Sequence, residues 1–171
     1  MARTKKNQVP GLRFDEKLVL FKFMQRELGI TDMKQLARQM NQPEEEGINE
    51  STGNTLFIEY FFKQPGCRIP ETKLRVYDEN IRRYTQKIGE NRGGLTWKYF
   101  QYLSILFTEI YLDRWFSDKE AFQQELTDFL HDEDDRTLGQ IGFQDFDLAK
   151  MNKLAYMSAT GSGKTLILHV N

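Results

Sequence analysis

Residues 95–116 read LTWKYFQYLSILFTEIYLDRWF, and their pattern sets the fold class. Wound at 3.6 residues per turn, this stretch places apolar side chains on every face. A helix that is apolar all round belongs in the middle of a bundle rather than on its outside. Lys98, Glu109, Asp113 and Arg114 interrupt it, whereas a membrane span needs roughly twenty mostly apolar residues without such breaks. Thr96 is expected to cap the helix, which would run from Trp97 to about Phe116.

The flanks supply partners. Leu74, Tyr77, Ile81, Tyr84 and Ile88 form one stripe of an amphipathic helix, opened by Pro70 and closed by GENRGG. Phe14, Leu18, Phe21, Met24 and Leu28 form another, closed by Gly29 where a left-handed C-cap is favoured. Thr31 is positioned to cap a short helix reaching about Met40. NQPEEEGINESTGN reads as a surface loop. TLFIEYFFK reads as a helix, with a strand as the alternative for so aromatic and β-branched a segment. Downstream, Ser117 can cap a helix whose inner face is Phe122, Leu126, Phe129 and Leu130. HDEDDRTLGQIG then reads as a charged linker, DFDLAKMNK as a short helix and LAYMSA as a buried strand. The fold class is mainly α. Residues 1–12 form a flexible tail, 13–131 a helical domain, 132–144 a linker, and 145–171 the truncated start of an α/β domain.

Composition narrows the function classes. The chain of 171 residues is 39% hydrophobic and 13% aromatic, ample for a packed core. Charged residues reach 29% but nearly cancel, leaving a net charge of -1. Any nucleic-acid surface must therefore be local. The single cysteine, Cys67, excludes an internal disulfide framework and suits a reducing cytoplasm. Its neighbours Gly66 and Arg68 are expected to lower its pKa slightly, but no His or Asp lies near it in sequence, and it reads as an inert thiol.

The chemistry concentrates in SATGSGKT, Ser158 to Thr165. It fits the phosphate-loop pattern G-x-x-x-x-G-K-[ST] everywhere except the first position, where Ser158 replaces Gly. Gly161 and Gly163 permit backbone conformations that turn successive N–H groups toward one point. Ser158, Ala159, Thr160, Gly161, Ser162 and Gly163 would cradle phosphate. Lys164 would reach the β- and γ-phosphates, and Thr165 would hold the bridging magnesium ion.

MSATGSGKTLILHVN resembles motif I of the superfamily 2 helicases and translocases, the DEAD/DEAH-like motors. It is similar in particular to large bacterial helicases of the restriction-enzyme type, whose motif I reads M-A-T-G-S-G-K-T before an apolar helix. LTWKYFQYLSILFTEIYLDRWFSD and DLAKMNKLAYM are similar to the helical region ahead of that motif. The resemblance implies a helical accessory domain followed by the first strand, phosphate loop and partial helix of an incomplete RecA-like domain. It implies ATP and Mg2+ as cofactors, nucleic acid (DNA above all) as partner, and restriction or defence subunits as companions. It also implies a downstream Asp-Glu motif and arginine fingers, which six residues after Thr165 cannot hold. The expectation is a chain that carries the grip of a motor without its turnover machinery. Gln140 and Gln144 are the only candidates for an adenine-recognising glutamine ahead of the loop.

Two other readings stay open: a self-contained helical binding or interaction module with a vestigial loop, and a secretion or pilus ATPase, against which Ser158 counts. The best basic stretch is Arg75, Arg82, Arg83 and Lys87, with Arg92 beyond it, and it offers candidate phosphate contacts for nucleic acid. Asp78, Glu79 and Glu90 dilute it. The aromatics Trp97, Tyr99, Phe100, Tyr102, Phe107, Tyr111 and Trp115 read as core rather than as base-stacking surfaces. The acidic run His131 to Asp135 reads as solvated linker rather than as a metal site, and His169 as incidental.

Overall fold

The computed structural model describes residues 11–42, 44, 46–90, 92–137, 139–142, 144–157, 161–168 and 170. It is mainly α-helical, with seven α-helices: α1 (Val19–Glu27), α2 (Met33–Met40), α3 (Leu56–Phe62), α4 (Glu71–Gly89), α5 (Tyr99–Ser117), α6 (Lys119–Arg136) and α7 (Lys164–Leu168). Helix α5 packs against α2, α4, α6 and α7, while α1 lies on α6 and α3 on α4. Gln101, Tyr102, Leu103, Ile105, Leu106, Phe107, Thr108, Ile110 and Tyr111 of α5 are all buried. Their partners include Phe122, whose ring centroid lies 5.1 Å from Tyr111, and Phe57, 5.2 Å from Tyr102. Phe23 of α1 meets Phe122 and Phe129 of α6 at 6.0 and 5.6 Å. No helix is long and apolar enough to cross a membrane, among the described residues.

Helix ends differ from the sequence expectations by one or two residues, each for a local reason. Asp32, not Thr31, caps α2, its Oδ1 accepting from Lys34 and Gln35 N–H at 2.7 and 3.2 Å. Asp118 rather than Ser117 caps α6 through Ala121 N–H at 2.9 Å; Ser117 is the last residue of α5. Helix α5 starts at Tyr99 because Lys98 is extended, its N–H taken by Gln101 Oε1 at 2.9 Å. Trp97 instead turns inward and donates Nε1–H to Thr85 Oγ1 at 2.6 Å. The stripe from Phe14 is not one helix. Glu16 accepts the Arg13 N–H at 2.7 Å and closes a 3-10 turn over Asp15–Lys17, leaving Phe14 59% exposed. TLFIEYFFK is helical, as α3.

Two stretches near the C-terminus need correction. Residues 132–136 are helical, not linker: Glu133 and Asp134 are buried at the end of α6. Glu133 pairs with Lys22 at 2.7 Å and Arg136 at 2.5 Å, and Asp134 Oδ1 accepts Ile141 N–H at 2.9 Å. Burial pushes the Glu133 carboxyl up, but the hydrogen bonds and charges of Lys22 and Arg136 together outweigh it and hold the group below its ordinary value. DFDLAKMNK is only a turn, closed by Lys150 and Met151 N–H onto the Asp147 carbonyl at 2.8 and 3.1 Å. Residues 154–157 form no strand, and the only β contact among the described residues is the isolated bridge between Ile48 and Thr55. A buried parallel strand needs neighbours to take its backbone groups, and none is present there.

Gly29 is the residue least able to change. It follows α1 at φ 68°, with Ile30 N–H on the Gln25 carbonyl at 2.8 Å and Gly29 N–H on that of Arg26 at 3.2 Å, a Schellman closure. A Cβ here would meet the backbone of Pro65, Gly66 and Cys67 at 2.7–2.8 Å. Gly53 has a similar φ of 71° but open space around it. Gly53→Ala should therefore cost about 1–2 kcal/mol, the left-handed penalty alone. Gly29→Ala should cost roughly 3–4 kcal/mol, since overpacking against backbone adds to that penalty. Denaturant midpoints of the two variants measure the difference.

Candidate phosphate-binding loop

The described part of the loop runs from Gly161 to Thr165; Ser158, Ala159 and Thr160, like His169, lie outside the described residues. Gly161 and Gly163 both adopt left-handed backbone, at φ 80° and 81°. Helix α7 starts immediately after them, at Lys164, with Leu166 N–H on the Gly163 carbonyl at 2.9 Å. A Cβ on Gly161 would meet nothing within 4 Å, so one side of the turn is open. The Ser162 Oγ is buried and has no hydrogen-bond partner among the described residues. Among the described residues, open space beside the Gly161 backbone suits a phosphate oxygen. Lys164 and Thr165 are exposed, and Lys164 borders a groove of about 580 Å³ shared with Thr108, Trp115, Asn152 and Tyr156.

The loop and the segment before it are docked on α5 and α6 by polar contacts that the sequence did not announce. Tyr111 donates to the Met151 carbonyl at 2.6 Å, and the hydroxyls of Thr108 and Tyr156 lie 2.8 Å apart. Gln123 of α6 donates to the Phe146 carbonyl. Gln101 Nε2–H donates to the Ser162 carbonyl at 2.8 Å. Ile167 and Met151 are buried in the common core. Gln140 and Gln144 make no hydrogen bond to the loop among the described residues. The glutamine that reaches it is Gln101, hidden from a motif search because it sits sixty-one positions before Ser162 on a different element.

The basic stretch is only partly assembled into a surface. Arg75 is held by Glu71 at 2.5 Å and lies 4.6 Å from the Phe62 ring centre. Arg82 Nε–H donates to Asp78 Oδ2 at 3.2 Å. Arg83 donates to Asn80 Oδ1 at 3.0 Å, and Lys87 is exposed. Arg82 and Arg83 border one cavity of about 870 Å³ whose wall also includes Glu79, Glu90 and Trp97. Asp78, which in sequence merely dilutes the charge, is fully buried. It accepts from Thr55 Oγ1 and Tyr102 OH at 2.5 Å each, and from Thr55 N–H at 3.0 Å. Burial, then the Asp78 charge, pushes the Tyr102 hydroxyl well above its ordinary pKa.

The remaining candidates resolve simply. Trp97, Tyr102, Phe107 and Tyr111 are core, Tyr99 and Trp115 pack partly against it, and Phe100 is 38% exposed. No group of acidic, His or Cys residues able to hold a metal occurs among the described residues. His131 Nε2 lies 2.9 Å from Asp145 Oδ1. Cys67 is half-buried, and burial pushes its thiol up, against the slight lowering expected from Gly66 and Arg68; a backbone hydrogen bond from Ile69 opposes the rise and the Glu27 charge adds to it.

The Asp78 arrangement separates the two arginines experimentally. Asp78→Ala should destabilise the fold by roughly 3–5 kcal/mol, because it strands buried donors and leaves Arg82 without its partner. Arg83→Ala, at an exposed position, should stay within about 0.5 kcal/mol of the parent. Urea unfolding followed by circular dichroism checks both.

Compared with protein families, with curated proteins and with solved structures, the chain finds no match in any of the three.

Proposed function

We propose that this chain serves an ATP-dependent nucleic-acid helicase or translocase of superfamily 2, as its N-terminal part. In this reading the helices form an accessory unit, and residues 145–171 open a RecA-like ATPase domain. The observation that carries the reading is the pair of left-handed glycines, Gly161 and Gly163, bracketing Ser162 directly before the Lys164–Thr165 helix start. Bound Mg-ATP would supply the phosphoryl group whose transfer drives movement along DNA or RNA. The chain's own residues grip it: the Gly161–Gly163 backbone supplies N–H donors, Lys164 a positive charge and Thr165 a hydroxyl for magnesium. Arg82 and Arg83 are the side chains best placed to meet a nucleic-acid backbone. Companion restriction or defence subunits and a cytoplasmic setting go with the same reading.

One observation favours the rival, a self-contained helical interaction module with a vestigial loop. Met151 and Ile167 share one core with the helices, so the loop segment is packed as part of the bundle. The rival requires no nucleotide.

These 171 residues place no Asp or Glu after Thr165. The chain should therefore bind Mg-ATP weakly and hydrolyse it negligibly. Equilibrium dialysis with labelled ATP should detect binding that Lys164→Ala reduces at least tenfold, with both proteins silent in a phosphate-release assay. Binding indifferent to Lys164, or none at all, would hand the argument to the rival. Lys164-dependent turnover at the rate of intact motors would overturn the division of labour proposed here.

A further inference from the structure

Gln101 occupies an unusual position for a glutamine on an apolar helix. It is only 9% exposed, and both ends of its amide are used. Oε1 accepts the Lys98 N–H at 2.9 Å, which stops the first turn of α5 from fraying, and Nε2–H donates to the Ser162 carbonyl at 2.8 Å. The two partners fix the orientation of the amide, since a flip would set N–H against N–H and oxygen against oxygen. The amide also fills the place of a side chain at Gly163, where a Cβ would lie 2.4 Å from Nε2. Gly163 is thus constrained twice, by its positive φ and by Gln101.

The geometry of one peptide unit carries the consequence. The Ser162–Gly163 peptide is planar and trans, so its carbonyl and its N–H point in opposite directions. With the carbonyl held toward α5 by Gln101, the Gly163 N–H points away from α5. That N–H is one of the donors a phosphate loop turns on its ligand.

We propose that Gln101 is a positioning residue for phosphate binding: it locks the Ser162–Gly163 peptide so that the Gly163 N–H is preset for a phosphate oxygen of the nucleotide. The role rests on the phosphate-loop reading above. Without this hydrogen bond the Ser162–Gly163 peptide loses its tether to α5, and ligand binding must supply the ordering. That lowers affinity.

Gln101→Glu removes the donation alone, and the neutral Gln101→Met, expected to weaken binding as well, shows that the loss is not the added charge repelling phosphate. The carboxylate keeps the size of the side chain and still accepts the Lys98 N–H, but it cannot donate to the Ser162 carbonyl. Tyr77→Phe is the control, because it removes the 2.7 Å hydrogen bond to Asp113 between α4 and α5 and lies outside both the loop and the groove beside Lys164. The full chain, labelled with 15N, is titrated with Mg-ATP and separately with inorganic pyrophosphate, and Tm is recorded without ligand. The expected result is a Kd about tenfold weaker for Gln101→Glu, with a shifted Gly163 amide resonance before ligand is added. Tyr77→Phe should lower Tm at least as much yet keep Kd within about twofold of wild type. A Kd equal to wild type in Gln101→Glu or Gln101→Met, or an equal loss in Tyr77→Phe, overturns the positioning role while the phosphate loop stands. If neither probe binds the wild type in a Lys164-dependent manner, the phosphate loop itself falls and the role of Gln101 with it.

Discussion

A helix with no polar face is stable in water only if other elements cover all its sides, and α5 places that demand on the rest of the chain. Helices α2, α4, α6 and α7 pack against it, and of its large apolar side chains Phe100, Leu112 and Phe116 stay exposed. The lengths of the neighbours follow. Helices α4 and α6, at 19 and 18 residues, match the 19 of α5, while shorter elements fill the remaining sides. Burial of a large apolar side chain is worth about 1.5–3 kcal/mol, so α5 supplies much of the drive for the bundle to close around it.

Closing such a bundle brings charge inside, and the structure answers with compact ion clusters. Glu27, 3% exposed at the end of α1, receives Arg26 and Arg114, and both arginines also reach Glu125 of α6. The arginines lie over the Phe23 ring, at 4.8 and 5.3 Å from its centre. Three helices are thereby tied at one corner by side chains whose charges cancel. Asp78 does the same for the loop before α3, for α4 and for α5, through Thr55, Arg82 and Tyr102. Removing either acid alone would leave cations or donors buried without a partner, which is the expensive way to break a pair.

The helical stretches were legible because apolar spacing is a local signal. The stripe of α4 from Leu74 to Ile88, the inner face of α6 and the all-round apolar character of α5 needed no tertiary information. Helix ends were read less well, since Asp32 and Asp118 win over Thr31 and Ser117 by a choice between adjacent good caps. What could not be read was the fate of polar residues paired across long separations. Asp78 looked like a surface charge because its partner Tyr102 lies 24 positions away. Glu133 looked solvated because Lys22 is 111 positions away. LAYMSA looked like a strand because a short apolar run has no period of its own; Tyr156 meets Thr108 of α5, and residues 154–157 join no sheet among the described residues. The glycine pattern of the loop was plain in the sequence, and the carbonyl grip of Gln101 on it was not.

Gln101, Tyr102, Thr108 and Tyr111 share a property beyond the partners each one holds. An all-round apolar helix can turn about its own axis and still bury nearly the same area, because every face is equally greasy. Its packing energy alone leaves several rotational settings close together. These four side chains remove the degeneracy, since each must meet one fixed acceptor or hydroxyl: Ser162, Asp78, Tyr156 and Met151. Turning α5 by even one residue's angle would break all four contacts, and Thr108 would keep only the bond to the Ser104 carbonyl of its own helix. The hydroxyls and the amide are therefore the pins of a lock, and the greasy surface around them is only the barrel in which it turns.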